Sequence, residues 1–171
     1  MEGDKDLLAE LIRRILPDIK FKDLTVIAQK TEQDGLDTHG VRFDIFATDE
    51  NGRAIEIEMQ VVNTGELPLR IRFYCSMIDM QMLKPGEPYG KLKETYVIMI
   101  CPFDLYGKGR YVYRFRNRED KDPNLLRGDD TTKIVLNAAG TDDDVSEDLK
   151  VFLDYVAGKP SDDVLIQRLA R

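Results

Sequence analysis

The sequence is poor in the residues that bind metals through nitrogen or sulfur. Its 171 residues include two cysteines, Cys75 and Cys101, and one histidine, His39 in a polar loop. Without a cysteine cluster or a second histidine there is little from which to build a zinc site. Two cysteines within apolar stretches read as buried thiols of a reducing compartment rather than as a disulfide framework. Long hydrophobic runs are also missing. No window approaches the roughly 18 apolar residues of a membrane-spanning helix. The opening "MEGDKDLLAELIRR" is acidic and then amphipathic, unlike a secretory signal. These absences predict a cytoplasmic protein with no membrane partner. There is no internal repeat and no low-complexity linker, so the length fits one domain with a sizeable core and at most a small extension.

An excess of basic charge is lacking too. The net charge of −7 argues mildly against nucleic acid, whose phosphates usually leave a basic footprint on a partner. The distribution qualifies this. Acid is concentrated late, in "RGDDTTK", "GTDDDVSED" and "KPSDDV", while the middle carries Arg70, Arg72, Lys91, Lys93, Lys108, Arg110, Arg114, Arg116 and Arg118. Those cations form either a basic surface or ordinary solvated faces.

What is present is a clear succession of periodicities. "DKDLLAELIRRIL" has apolar residues at helical spacing and stops before Pro17. "LTVIAQK" reads as a strand and "TEQDGLDTHG" as a loop. "VRFDIFA" and "RAIEIEMQVV" alternate strictly and are joined by "TDENG", which predicts a hairpin. "LPLRIRFYCSMIDMQML", apolar at 69, 73, 77, 80 and 83, predicts a helix that begins near Pro68. "ETYVIMICPF" is continuously apolar, hence a well-buried strand. "RYVYRFRNR" is a more exposed strand nearer an edge, and "TKIVLNA" a short strand. "VSEDLKVFLDYVAG" is a helix capped at Ser146 or the preceding aspartates and closed at Gly158, and "SDDVLIQRLAR" begins another. The order α-β-β-β-α-β, then two strands and two helices, predicts an α/β fold with a mixed sheet covered on both faces.

The hairpin register fixes which side chains share a face. A two-residue Asn51-Gly52 turn would set each strand's apolar residues against the other's polar ones. A three-residue loop, Glu50-Asn51-Gly52, with Gly52 in the left-handed region, puts Val41, Phe43, Ile45 and Ala47 opposite Val61, Met59, Ile57 and Ile55. One face is then wholly apolar, and a buried face specifies register strongly. The other face carries Arg42 opposite Gln60, Asp44 opposite Glu58, and Phe46 opposite Glu56. Like charges directly opposed across a strand pair destabilise it, so Asp44 and Glu58 need a shared proton, Arg42 or a hard cation between them. Oxygen ligands with several waters suit magnesium or manganese.

Asp44 on one strand and Glu58-x-Gln60 on the next, in this element order, resembles the PD-(D/E)XK nuclease superfamily. More closely, "GVRFDIFATDENGRAIEIEMQ" followed by "LRIRFYCSMIDMQMLKPGEPYGKLKETYVIMICPF" resembles the Rpn-type family of recombination-promoting nucleases and transposases. The likeness runs from about residue 4 to about residue 157 and is specific over 40 to 103. It implies a restriction-endonuclease-like core over residues 1–157. Residues 158–171 are left as a C-terminal helix, read as the start of an extension, since family members commonly continue further. It also implies a DNA endonuclease that uses Mg2+ or Mn2+, with DNA as partner and a homo-oligomer where two strands are cut.

Carried over residue by residue, the resemblance makes Asp44 and Glu58 metal-binding carboxylates, joined by the Met59 backbone carbonyl. Gln60 stands where the family's lysine orients or activates water. Gln60 can hydrogen-bond a water but cannot act as a base or carry charge, which implies a slower enzyme or a module that only binds DNA or a protein. Auxiliary roles fall to Glu10 on the first helix, to Glu56, and to Arg70, Tyr74 and Gln81 along one face of the helix after the motif.

Overall fold

A computed structural model describes the backbone of residues 2–29 and 44–169, and the side chains of 5–26 and 45–169. The chain runs α1 (Glu2–Ile15), β1 (Leu24–Gln29), β2 (Asp44–Asp49), β3 (Ala54–Met59), α2 (Leu67–Met82), β4 (Thr95–Cys101), β5 (Val112–Arg116), β6 (Thr131–Asn137), α3 (Glu147–Val156) and α4 (Val164–Leu169), with a 3-10 turn at Tyr89–Lys91. The six strands among the described residues form one sheet in the order β1-β2-β3-β4-β6-β5. β1, β2 and β3 pair antiparallel, β3, β4 and β6 parallel, and β5 closes the edge antiparallel to β6. This is the mixed α/β architecture of a restriction-endonuclease-like core.

Both faces are covered, and each strand's alternation divides its residues between them. Ile45, Ala47, Ile55, Ile57, Ile98 and Ile134 face one cluster with Leu11 and Ile12 of α1 and Phe152 and Leu153 of α3. Phe46, Ala54, Val97, Met99 and Val135 face the other, beneath Leu67, Ile71 and Ile78 of α2. β4 is buried along its whole length, as its uninterrupted apolar run requires at the centre of a two-sided sheet. β5 is the exposed edge strand. The Ser146 hydroxyl caps α3 by accepting from Leu149 N at 3.3 Å, and Gly158 follows that helix with φ 90°. α4 packs back on α1, with Ile166 in the first cluster and Arg14 reaching Asp163 at 3.1 Å.

Cys75 and Cys101 are free thiols. Burial pushes the Cys101 thiol up to about 12, which keeps it protonated and unreactive. Among the described residues no helix is long and apolar enough to cross a membrane.

The hairpin adopts the three-residue loop. Asp44 pairs with Glu58, Ile45 with Ile57, Phe46 with Glu56 and Ala47 with Ile55. Asp49 N donates to the Arg53 carbonyl at 3.1 Å, Gly52 N donates to the Asp49 carbonyl at 3.0 Å, and Gly52 takes φ 80°. The outer pairs involving Val41, Arg42 and Phe43, and the loop with His39, lie outside the described residues.

Candidate active site

The face of the hairpin turned toward α2 carries Phe46 from β2, and Glu56, Glu58 and Gln60 from β3 and its extension. Phe46 and Ala54 are packed into the α2 cluster, so the polar residues occupy the carboxyl end of β3. There the chain leaves the sheet for α2, between an antiparallel neighbour and a parallel one. Gln60 N donates to the Ile100 carbonyl at 2.9 Å. Because the two ends of a trans peptide point in opposite directions, the Met59 carbonyl is directed away from β4, toward the β2 side. Asp44 begins β2 directly opposite Glu58; its side chain lies outside the described residues.

The Glu58 carboxylate retains only 8% exposure. A carboxylate that far from water is stable only with close charged and hydrogen-bonding partners, and α2 supplies them. Arg70 Nη2 donates to Glu58 Oε1, Arg70 Nη1 donates to Gln60 Oε1, and Arg70 Nε donates to the Tyr74 hydroxyl at 2.8 Å. Arg70 and Tyr74 are one turn apart, the spacing that brings side chains together on a helix surface. Burial, followed by its hydrogen bond to the Glu58 carboxylate, pushes the Tyr74 phenol up to about 12 against the lowering effect of Arg70. Tyr74 therefore remains a donor at any physiological pH. Gln60 Nε2 donates to the Val62 carbonyl at 2.7 Å, so the amide is fixed at both ends.

Four of the residues singled out in the sequence thus meet in one cluster: Glu58, Gln60, Arg70 and Tyr74. Others lie apart from it. Glu56 is half-buried between Phe46 and Val97, its neighbours on either side, one strand repeat closer to the turn. Glu10 sits on α1, which packs against the opposite face of the sheet, and it bonds Arg14 at 3.5 Å. Gln81 is exposed, about 10 Å further along α2 from Tyr74. Of the mid-chain cations, Arg72 lines a groove of about 610 Å3 between α2 and the β5–β6 edge, where Arg127, Lys133 and Asp79 also project. That groove is of mixed sign rather than uniformly basic.

Sequence patterns did not reveal Asp49. Its side chain is wholly buried in the hairpin turn and paired with Arg53 Nε. One oxygen accepts from Asn51 N and Arg53 N, both at 2.9 Å. The Asp-x-Asn-Gly string was the available signal, since an aspartate that opens a turn often accepts from the backbone two residues on.

A family model described as PD-(D/E)XK nuclease family transposase matches residues 1–127. The chain belongs to that family. The matched span covers α1 through β5, and so includes the whole hairpin and α2. No curated protein and no solved structure matches the chain. As a member of a nuclease-type transposase family, this protein presents its hairpin and its α2 cluster inside the portion that defines the family.

The divalent ion that such a family implies fits the donor set. Magnesium is held by one or two carboxylates together with waters, through oxygen ligands. The nearly buried Glu58 carboxylate, Asp44 directly across the strand pair and the Met59 carbonyl would supply oxygen donors of that kind. Among the described residues no group of three or more acidic, cysteine or histidine side chains gathers at all, and the Asp44 side chain lies outside them.

Proposed function

We propose that this protein is a divalent-metal-dependent DNA endonuclease serving recombination or the movement of a mobile element. The observation that carries the reading is the buried Glu58 carboxylate, directly opposite Asp44 and held by Arg70 and Tyr74. Asp44, Glu58 and the Met59 carbonyl would hold Mg2+ or Mn2+, which supplies Lewis-acid polarisation of the phosphate and a more acidic water. Gln60 contributes position rather than basicity: its amide can hold a water in line with the scissile bond. Arg70 offsets the charge of Glu58, and Tyr74, itself bonded to Arg70, adds a hydrogen bond to the same carboxylate.

The second reading is a nuclease-fold module that binds DNA or a protein with little turnover. It is favoured by Gln60, which carries no charge, and by the engagement of both Glu58 and Gln60 with Arg70. Plasmid and linear DNA incubated with Mg2+, with Mn2+ or with EDTA discriminate between the two. The endonuclease reading expects nicked and linear products with either metal and none in EDTA. Cleavage that persists in EDTA contradicts it, and metal binding without cleavage favours the second reading.

A further inference from the structure

The apolar stripe that marks α2 in the sequence does not face the core. The helix buries Leu67, Ile71 and Ile78, whereas Leu69, Phe73 and Met80 are 57%, 61% and 81% exposed. α2 therefore carries an exposed apolar stripe opposite its buried one, and a contiguous exposed apolar patch marks an interaction surface. Leu69, Phe73, Ser76 and Met80 follow the alternating four- and three-residue spacing of a two-helix seam, with the small Ser76 near the middle of the 16-residue helix. Arg72 and Asp79 flank this seam on one side. They lie equally far before and after the midpoint between Cys75 and Ser76, about one helical turn each way.

We propose that this face is the docking site of a second copy of the chain, with the two α2 helices packed antiparallel about a two-fold axis at that midpoint. The axis keeps the same flank of both helices on the same side, so Arg72 of one copy meets Asp79 of the other, twice. Leu69 and Phe73 of each helix meet Met80 and Ser76 of its mate. A parallel arrangement would oppose arginine to arginine and aspartate to aspartate, so the charges select the antiparallel one. Neither Arg72 nor Asp79 has an ion-pair partner in its own chain among the described residues. Partial burial and then the repulsion of Asp129 raise the Asp79 carboxyl, so a cation supplied there is favourable. The result is an isologous contact, in which one self-complementary patch serves both subunits. It does not depend on the nuclease reading.

Sedimentation of the full chain over a range of concentrations tests the proposal. The wild type is expected to approach twice the 19.6 kDa of one chain as concentration rises. Phe73→Asp, at an exposed position, should keep the wild-type circular dichroism and weaken association by at least about 30-fold, as a central apolar anchor does. Arg72→Asp or Asp79→Arg alone should weaken the dimer, and the double reversal R72D/D79R should restore it. A monomer at every concentration, or a dimer indifferent to Phe73→Asp, overturns the proposal. Single reversals that the double variant fails to rescue overturn the antiparallel register.

Discussion

Glu58→Gln is expected to lower metal-dependent DNA cleavage by on the order of 1,000-fold while leaving the fold intact. The substitution keeps the length and volume of the side chain, and the amide oxygen can still accept from Arg70. What it removes is the negative charge on the oxygen directly across the strand pair from Asp44. A metal that stabilises developing phosphate charge contributes several kcal/mol, and each ~1.4 kcal/mol is a factor of ten in rate. Asp44→Asn should fall by a similar factor, because on the proposed reading both carboxylates hold the same ion. Plasmid nicking rates at saturating Mn2+, read beside melting temperatures, check both variants. A Glu58→Gln enzyme within tenfold of wild type would show that the chemistry lies elsewhere.

Asp49→Ala should cause a large loss of stability without touching that chemistry directly. The Asp49 side chain is fully buried, and it accepts from Arg53 Nε and from two backbone N–H groups of the turn. Removing one partner of a buried ion pair costs about 3–5 kcal/mol. Arg53 keeps Glu94 at 3.9 Å and the Lys20 carbonyl at 2.6 Å, which places the expected loss near the lower end, about 3 kcal/mol. For a chain of this size that corresponds to roughly 6–12 °C in melting temperature. Asp49→Asn, which retains an acceptor for the backbone N–H groups, should lose less. Differential scanning calorimetry of the two variants gives the comparison, and a shift below about 2 °C for Asp49→Ala would contradict the role assigned to this turn.

The parts of the fold that were legible in the sequence are those set by local alternation. The hairpin register could be read because only one pairing places Ile45 and Ala47 against Ile57 and Ile55, and burial of that face outweighs the like charges of the other. The edge position of β5 followed from its mixed alternation, and the burial of β4 from its lack of any. The placement of β6 between β4 and β5 is a matter of topology that no local pattern encodes. The counter-charge to Glu58 was equally hidden. Arg42, the cation that the hairpin reading offered, lies outside the described residues; among those described, a guanidinium that reaches Glu58 comes from Arg70 on α2. Which face of α2 lies against the sheet decides this, and the sequence pattern was ambiguous there because the helix has two apolar stripes. The more regular of them, through Leu69, Phe73 and Met80, points outward. Glu10 likewise lies on a helix whose amphipathic pattern fixes its inner face but not the side of the sheet on which it packs.

The account rests on the α2-facing end of the hairpin being a divalent-cation site, and titration calorimetry with Mn2+ tests that most directly. The wild type is expected to bind the ion with heat that is lost in Asp44→Asn and in Glu58→Gln, with a metal-dependent rise in melting temperature lost in parallel. Binding that is absent from the wild type, or unchanged in both variants, would contradict it.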